Sequence, residues 1–536
     1  MCTSRTTIVV TRSVAGLFAV FLAATAAASL AAETVRLSPP DVSRTKQGSG
    51  KEAVILTPKP PATPRINGAK VFGVRPGRPL LFTIPATGQR PMQFAVDNLP
   101  AGLTLDPQTG HIAGRIAKGG EYVVTLRAQN SLGEARRTFK VVCGDRLALT
   151  PHMGWNSWYI WENHVTDKIM REAAGAMVSS GLIDHGYMYV NIDDCWMVKL
   201  NTQDAVLGGR PRDAQGNINP NKRFPDMKAL ADYIHRKGLK AGLYTSPGPG
   251  TCGGYAGAYQ HEAQDARQFA AWEFDFLKYD WCSYGQVAGG NDRVHLMKPY
   301  ELMWAELQKL DRDIVFNLCQ YGMGNVWEWG RSVGHSWRTA GDLGGSFQGI
   351  PAALFRDVFG LYGRNELQKY NRPGSWNDPD YLLLGHLSNW QGGTAPTPLS
   401  PNEQYAHVSL WCLLSAPLIL SGDITRLDDF TLSLLSNDEV LELDQDPLGK
   451  SALRVAKSGD GEVWAKDLED GTKAVGLFNR GESEVPLTVK WSDLGLQGKQ
   501  AVRDLWRQKD LGTFGGQFTA PVGRHGVVLI RLRPAS

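Results

Sequence analysis

Between residues 146 and 445, short apolar runs alternate with amphipathic stretches of helical spacing, and few architectures accommodate that order. Thr166 and Asp167 open a first helix, in which Ile169, Met170, Ala173, Ala174, Met177 and Val178 recur on one face until Gly181 stops the run. Tyr187-Met-Tyr-Val-Asn-Ile192 follows as a strand. A second helix is predicted from Asp226 to Lys237, burying Met227, Leu230, Ala231 and Ile234, with Gly238 as its stop and Leu239-Lys-Ala-Gly-Leu-Tyr244 as the next strand. Further helices are expected over 258–272 and 294–310, and further strands are expected to end at Asp280, Cys319 and Asp342. Repeated strand-helix units specify a parallel sheet covered by helices, and a closed (β/α)8 barrel of α/β class suits the length better than an open sheet.

The flanks have a different texture. Residues 64–145 carry short alternating runs such as Tyr122-Val-Val-Thr-Leu126, separated by turn dipeptides, and residues 446–536 do the same in Val463-Trp-Ala-Lys-Asp467 and Gly523 to Leu532. Both read as β-sandwiches, and Leu99 to Gly114 of the first resembles the immunoglobulin-like modules of bacterial exported enzymes. Residues 33–63, with Pro39, Pro40, Pro58, Pro60 and Pro61 and no apolar periodicity, read as a linker without a core. Ahead of it, Arg5 and Arg12 precede an apolar run from Val14 to Ala28 and small residues through Ala32, the pattern of a cleaved secretory signal over 1–32. The expected location is therefore secreted or periplasmic. No later run is long enough for a spanning helix, so no membrane partner is expected. The formal charge of +4 is spread along the 536 residues without a basic, aromatic-interleaved block, which gives no support to a nucleic-acid partner.

Polar residues collect where the predicted barrel strands end. Asp193, Asp194, Tyr244, Lys278, Asp280, Gln320 and Asp342 all fall at or just past those ends, which converge on one mouth in a (β/α)8 barrel. In Phe274-Asp-Phe-Leu-Lys-Tyr-Asp-Trp-Cys282, Lys278 and Asp280 share a strand face, so the ammonium is expected to hold the carboxylate ionised. Asp342 closes Ser336-Trp-Arg-Thr-Ala-Gly-Asp342, with Arg338 close by. Two carboxylates at one barrel mouth suit glycoside hydrolysis, one attacking the anomeric carbon and the other moving the proton, roughly 5–5.5 Å apart if configuration is retained. Asp193-Asp194 could instead cap a turn or bind a divalent metal, but no His or third carboxylate clusters with them in sequence. Asp378 and Asp380 read as structural turn residues, and Trp327 with Trp329 as core packing or a stacking surface.

Nine segments in order, Met153-Gly-Trp-Asn-Ser-Trp158, Asn191-Ile-Asp-Asp-Cys-Trp196, Phe224-Pro-Asp-Met227, Lys240-Ala-Gly-Leu-Tyr244, Leu277-Lys-Tyr-Asp280, Trp337-Arg338 with Asp342, Trp376-Asn-Asp-Pro-Asp380, Ser415-Ala-Pro-Leu418 and Asp444-Gln-Asp-Pro-Leu-Gly449, resemble glycoside hydrolase family 27. That family comprises the α-galactosidases and α-N-acetylgalactosaminidases. The resemblance implies an exo-acting, retaining enzyme for α-galactoside oligosaccharides or polysaccharides, with no metal and no organic cofactor. It assigns Asp280 as nucleophile and Asp342 as acid/base, Asp193 and Asp194 to O4 and O6, Lys278 to O3 and O4, Arg338 to O2, and Trp155 and Tyr244 to the pocket walls. It also implies a disulfide between Cys252 and Cys282, leaving Cys195 and Cys319 as free thiols and Cys143 and Cys412 unassigned. The chain departs from the family where many α-galactosidases have Cys-Glu-Trp: here Cys319-Gln-Tyr321 puts Gln320 in the place of an O2-contacting carboxylate. Gln is not small, which favours galactose over its N-acetylamino analogue. α-N-acetylgalactosaminidase, β-L-arabinopyranosidase and a catalytically silent sugar-binding protein stand as the alternatives, and a homodimer is left open.

Overall fold

The computed structural model describes residues 44–46 and 52–535. The predicted secretory signal lies outside the described residues.

Eight strands form one parallel sheet: β1 Met153–Asn156, β2 Tyr189–Asn191, β3 Lys240–Thr245, β4 Phe276–Tyr279, β5 Val315–Leu318, β6 Ser336–Arg338, β7 Trp376–Asp378 and β8 Leu418–Leu420. Each pairs with its sequence neighbour from β1 to β7, and β8 returns to pair with β1. A parallel bridge from Leu382, just past β7, to Leu420 of β8 closes the ring. Every residue of β1 to β8 is buried, as expected of a sheet with helices outside and packed side chains within.

The helices begin and end where their capping residues dictate. In α1 (Asp167–Ser179) the Thr166 side chain accepts the N–H of Ile169, and Gly181 follows with φ 82°. In α2 (Met227–Arg236) Asp226 accepts from Ala229. Helix α3 (Glu262–Ala271) falls within its expected range, and α4 (Arg293–Gln308) starts one residue before its own. Helix α5 (Pro401–Leu414), opened by a Ser400–Glu403 capping box, is buried along nearly its whole length because the barrel covers one side and the C-terminal sheet the other.

The N-terminal sandwich has a four-stranded sheet and a three-stranded sheet around Phe82, Phe94, Val124, Leu126 and Phe139. It covers the floor of the barrel, touching segments that lead into strands. Arg75 pairs with Asp313 at 2.5 Å, Asn67 donates to the Asp184 carbonyl, and Thr83 donates to the Gly238 carbonyl. Gly238, at φ 77°, is needed there twice over, since a Cβ would lie 2.3 Å from both His111 and Thr83. The C-terminal domain pairs a six-stranded antiparallel sheet with a two-stranded one. Its Lys466 ammonium reaches the Cys412 carbonyl and the Ser415 hydroxyl at the end of α5.

Two expectations are corrected. The supposed linker is docked at its C-terminal end: Ile55 and Leu56 pack on the barrel core, the Leu56 N–H donates to the Tyr405 hydroxyl, and that hydroxyl donates to the Val54 carbonyl. Four consecutive apolar residues, Ala53 to Leu56, provide the reason. The sixth strand ends at Arg338, so Asp342 stands on the loop beyond it.

Candidate active site

The C-terminal ends of the strands frame a small, partly enclosed cavity lined mainly by polar and aromatic side chains. Trp158 and Tyr159 enter it just after β1, Asp193 and Asp194 after β2, and Tyr244 from β3. Lys278 comes from β4 and Asp280 from just beyond it, Tyr321 from beyond β5, Arg338 and Asp342 from β6 and its loop, and Tyr381 from beyond β7. Seven of the nine catalytic or sugar-binding positions expected from sequence therefore line one hollow.

Asp280 lines this hollow and is 4% exposed. Its Oδ1 accepts the Trp281 N–H at 2.8 Å and the Tyr321 hydroxyl at 2.6 Å. Burial raises its pKa against the opposing effects of Lys278 and Tyr321. Lys278 thus favours the ionised form of Asp280, as expected, but its direct partner is another carboxylate: the ammonium sits 2.9 Å from Asp193 Oδ2. Asp193 follows β2, one strand removed from β4, and has Asn156 Nδ2 at 2.8 Å as a second donor. Burial opposes the charged ammonium, yet Asp193 and its neighbours raise the Lys278 pKa well above the usual value. Asp194 accepts the N–H groups of Cys195 and Gly253, and burial pushes its pKa up to about 6.

Asp342 contrasts with Asp280. Its side chain is 41% exposed, and it pairs with Arg338, 3.0 Å away. Arg338 is itself buried and held by Asp380 at 3.1 Å, which also accepts the Tyr159 hydroxyl and the Leu343 N–H. Asp380, read from sequence as a turn residue, thus ties β7 to the arginine and to the backbone next to Asp342. The Cys252–Cys282 disulfide forms with Cα atoms 5.0 Å apart, staking the residue two beyond Asp280 to the loop after β3. Cys143, Cys195, Cys319 and Cys412 are free and buried.

Two positions differ from expectation. Trp155 does not wall the cavity: it is fully buried in the core, its indole N–H donating to the Gly422 carbonyl, and Trp158 of the same motif lines the hollow instead. Gln320 is fully buried outside the lining, with neither amide atom hydrogen bonded, while the neighbouring Tyr321 reaches the site. Trp327 and Trp329 pack against the barrel core. Away from the mouth, Asp232, His235 and Glu273 lie close enough to share a cation, but Lys228 already pairs with both Asp232 and Glu273.

A (β/α)8 barrel whose mouth gathers three buried carboxylates and one half-exposed one, with a lysine, an arginine and aromatic walls, has the architecture of a glycoside hydrolase. The family model described as Alpha galactosidase A matches residues 150–446, its C-terminal beta sandwich domain matches 458–532, and an Ig-domain model matches 63–144. The chain belongs to this alpha-galactosidase family, glycoside hydrolase family 27, and is a glycoside hydrolase. It is 39% identical over 409 residues to the Alpha-galactosidase of Coffea arabica, covering 75% of this chain and 99% of that one. The structure of alpha-galactosidase I from Mortierella vinacea matches with a TM-score of 0.63 at 31% identity, over 73% of this chain and 98% of that one. A solved structure from Bacteroides fragilis matches with a TM-score of 0.80 at 33% identity, over 89% of this chain and 99% of its own.

Proposed function

We propose that the protein is an exported, exo-acting α-galactosidase that works by retaining double displacement. The observation that carries this reading is that Asp280 and Asp342 line the same hollow with opposite exposure. The buried carboxylate, backed by Tyr321 and the Trp281 N–H, attacks C1 of the terminal galactosyl unit. The half-exposed one, on the solvent side, protonates the departing oxygen and then takes a proton from water. Asp193, Asp194 and Lys278 form the polar floor that receives O3, O4 and O6, and ionised carboxylates are strong acceptors for such hydroxyls. Arg338, fixed by Asp380, faces O2. Trp158, Tyr244 and Tyr381 wall the ring. Export is supported by the leader-like residues 1–32.

Nitrophenyl α-galactoside, its N-acetylgalactosaminide and the β-L-arabinopyranoside provide the test, with the anomer released first followed by NMR. Preferred hydrolysis of the galactoside with initial α-galactose release is expected. Preference for another glycoside overturns the substrate, β-galactose as first product overturns the mechanism, and no turnover of any of the three points to a silent binder.

A further inference from the structure

The two oxygens of Asp280 are not equivalent. Oδ1 carries both hydrogen bonds, from Trp281 N–H and the Tyr321 phenol, and among the described residues no protein donor is bonded to Oδ2. Tyr321 is brought there by a costly turn: it adopts φ 63° and Gly322 φ 82° just past β5. A Cβ on Gly322 would lie 2.2 Å from the Thr339 carbonyl, so this turn is wedged against the end of the next strand and cannot relax outward. Burial first, then the nearby Cys319 and Asp280, raise the phenol's pKa far above its usual range, so it stays a donor at any working pH.

We propose that Oδ2 is the attacking oxygen and that Tyr321 is a positioning residue for the second half of the reaction, its phenol holding Oδ1 as the carbonyl oxygen of the glycosyl ester. This rests on the double-displacement reading above. In the first step the Oδ2–C1 bond forms and the bond from C1 to the leaving oxygen breaks, that oxygen taking the proton of Asp342. Negative charge leaves the Asp280 carboxylate, so donors on Oδ1 give the first step no advantage. In the second step a water oxygen bonds to C1, its proton passes to Asp342, and the C1–Oδ2 bond breaks. Charge then returns to both carboxylate oxygens, and two donors already aimed at Oδ1 stabilise it as it develops.

Tyr321→Phe keeps the ring and removes the donor. With nitrophenyl α-galactoside, kcat and KM are expected to fall together, on the order of 10- to 100-fold, with a burst of nitrophenol and a smaller change in kcat/KM. The acid limb of kcat/KM should also move to higher pH, because Asp280 loses a bond that favours its ionised form. A fall in kcat/KM with unchanged or raised KM, no burst and an unmoved acid limb would overturn the assignment. Should the Phe variant fold poorly, 3-fluorotyrosine at 321 preserves the shape with a stronger donor. It should speed reactivation of a fluorogalactosyl-enzyme, and slower or unchanged reactivation overturns the proposal. An inverted product from the wild-type enzyme would overturn the underlying mechanism as well, whereas retention with the wrong Tyr321 signature overturns this assignment alone.

Discussion

The ammonium of Lys278 lies 2.9 Å from Asp193, on another strand, and leaves unpaired the carboxylate two residues along its own chain. That choice divides the charges of the site into two sets. Lys278 and Asp193 neutralise one another on the sugar-binding side, while Asp280 takes neutral donors and keeps a free oxygen. A nucleophile locked in a direct ion pair would have to break that pair at the moment of attack.

Loss of Lys278 should therefore act through Asp193. Lys278→Met leaves a buried carboxylate without its counter-charge, at a cost of about 3–5 kcal/mol, and should raise KM. Denaturant unfolding and steady-state kinetics check this; a stable variant with unchanged KM would count against the pairing.

The two proposed catalytic carboxylates should fail differently. Asp280→Ala is expected to abolish turnover of every substrate. Asp342→Ala should lose roughly 10²–10⁴-fold on natural leaving groups yet retain slow hydrolysis where the leaving group needs no proton. Equal losses on activated and unactivated galactosides would remove Asp342 from the acid/base role.

Activity and stability should respond to acid in opposite directions. Asp194 and Asp380 are pushed by burial to about 6, above the ordinary 3.8, and Asp280 is also raised. Hydroxyl recognition and attack need charged carboxylates, so kcat/KM should decline as pH falls through about 6. Over the window from about 6 down to 3.8 the native state binds more protons than the unfolded chain, so these groups add stability as pH falls. Thermal midpoints measured from pH 7 to 5 should rise, and Asp194→Asn should reduce the rise; a parallel fall of midpoint and activity would contradict the burial argument.

The floor contact should be separable from catalysis. Arg75→Ala removes a partly buried ion pair with Asp313 and bonds to two carbonyls, for an expected loss of about 2 kcal/mol. Because these groups lie opposite the mouth, kcat and KM should hold. A changed KM would mean that the floor and the mouth communicate.

Much of this was legible in the sequence because helical spacing, stop glycines and polar residues at strand ends are local signals. Asp193, Asp194, Tyr244, Lys278, Asp280, Arg338 and Asp342 all meet at the mouth. The errors came from relations between distant segments. Period-two alternation places Lys278 beside Asp280 but says nothing of Asp193, which arrives from the end of β2. Trp155 and Trp158 share one motif, and only the end of β1 decides which faces inward. Asp380 looks like a turn residue until β7 brings it against Arg338. Tyr321 carried no signal of its own, since its reach depends on a left-handed turn that no residue-type pattern announces.

The immunoglobulin-like sandwich closes the end of the barrel opposite the cavity. Its outward strands can consequently be altered or enlarged without narrowing the route to Asp280, so the two ends of the barrel can diversify independently.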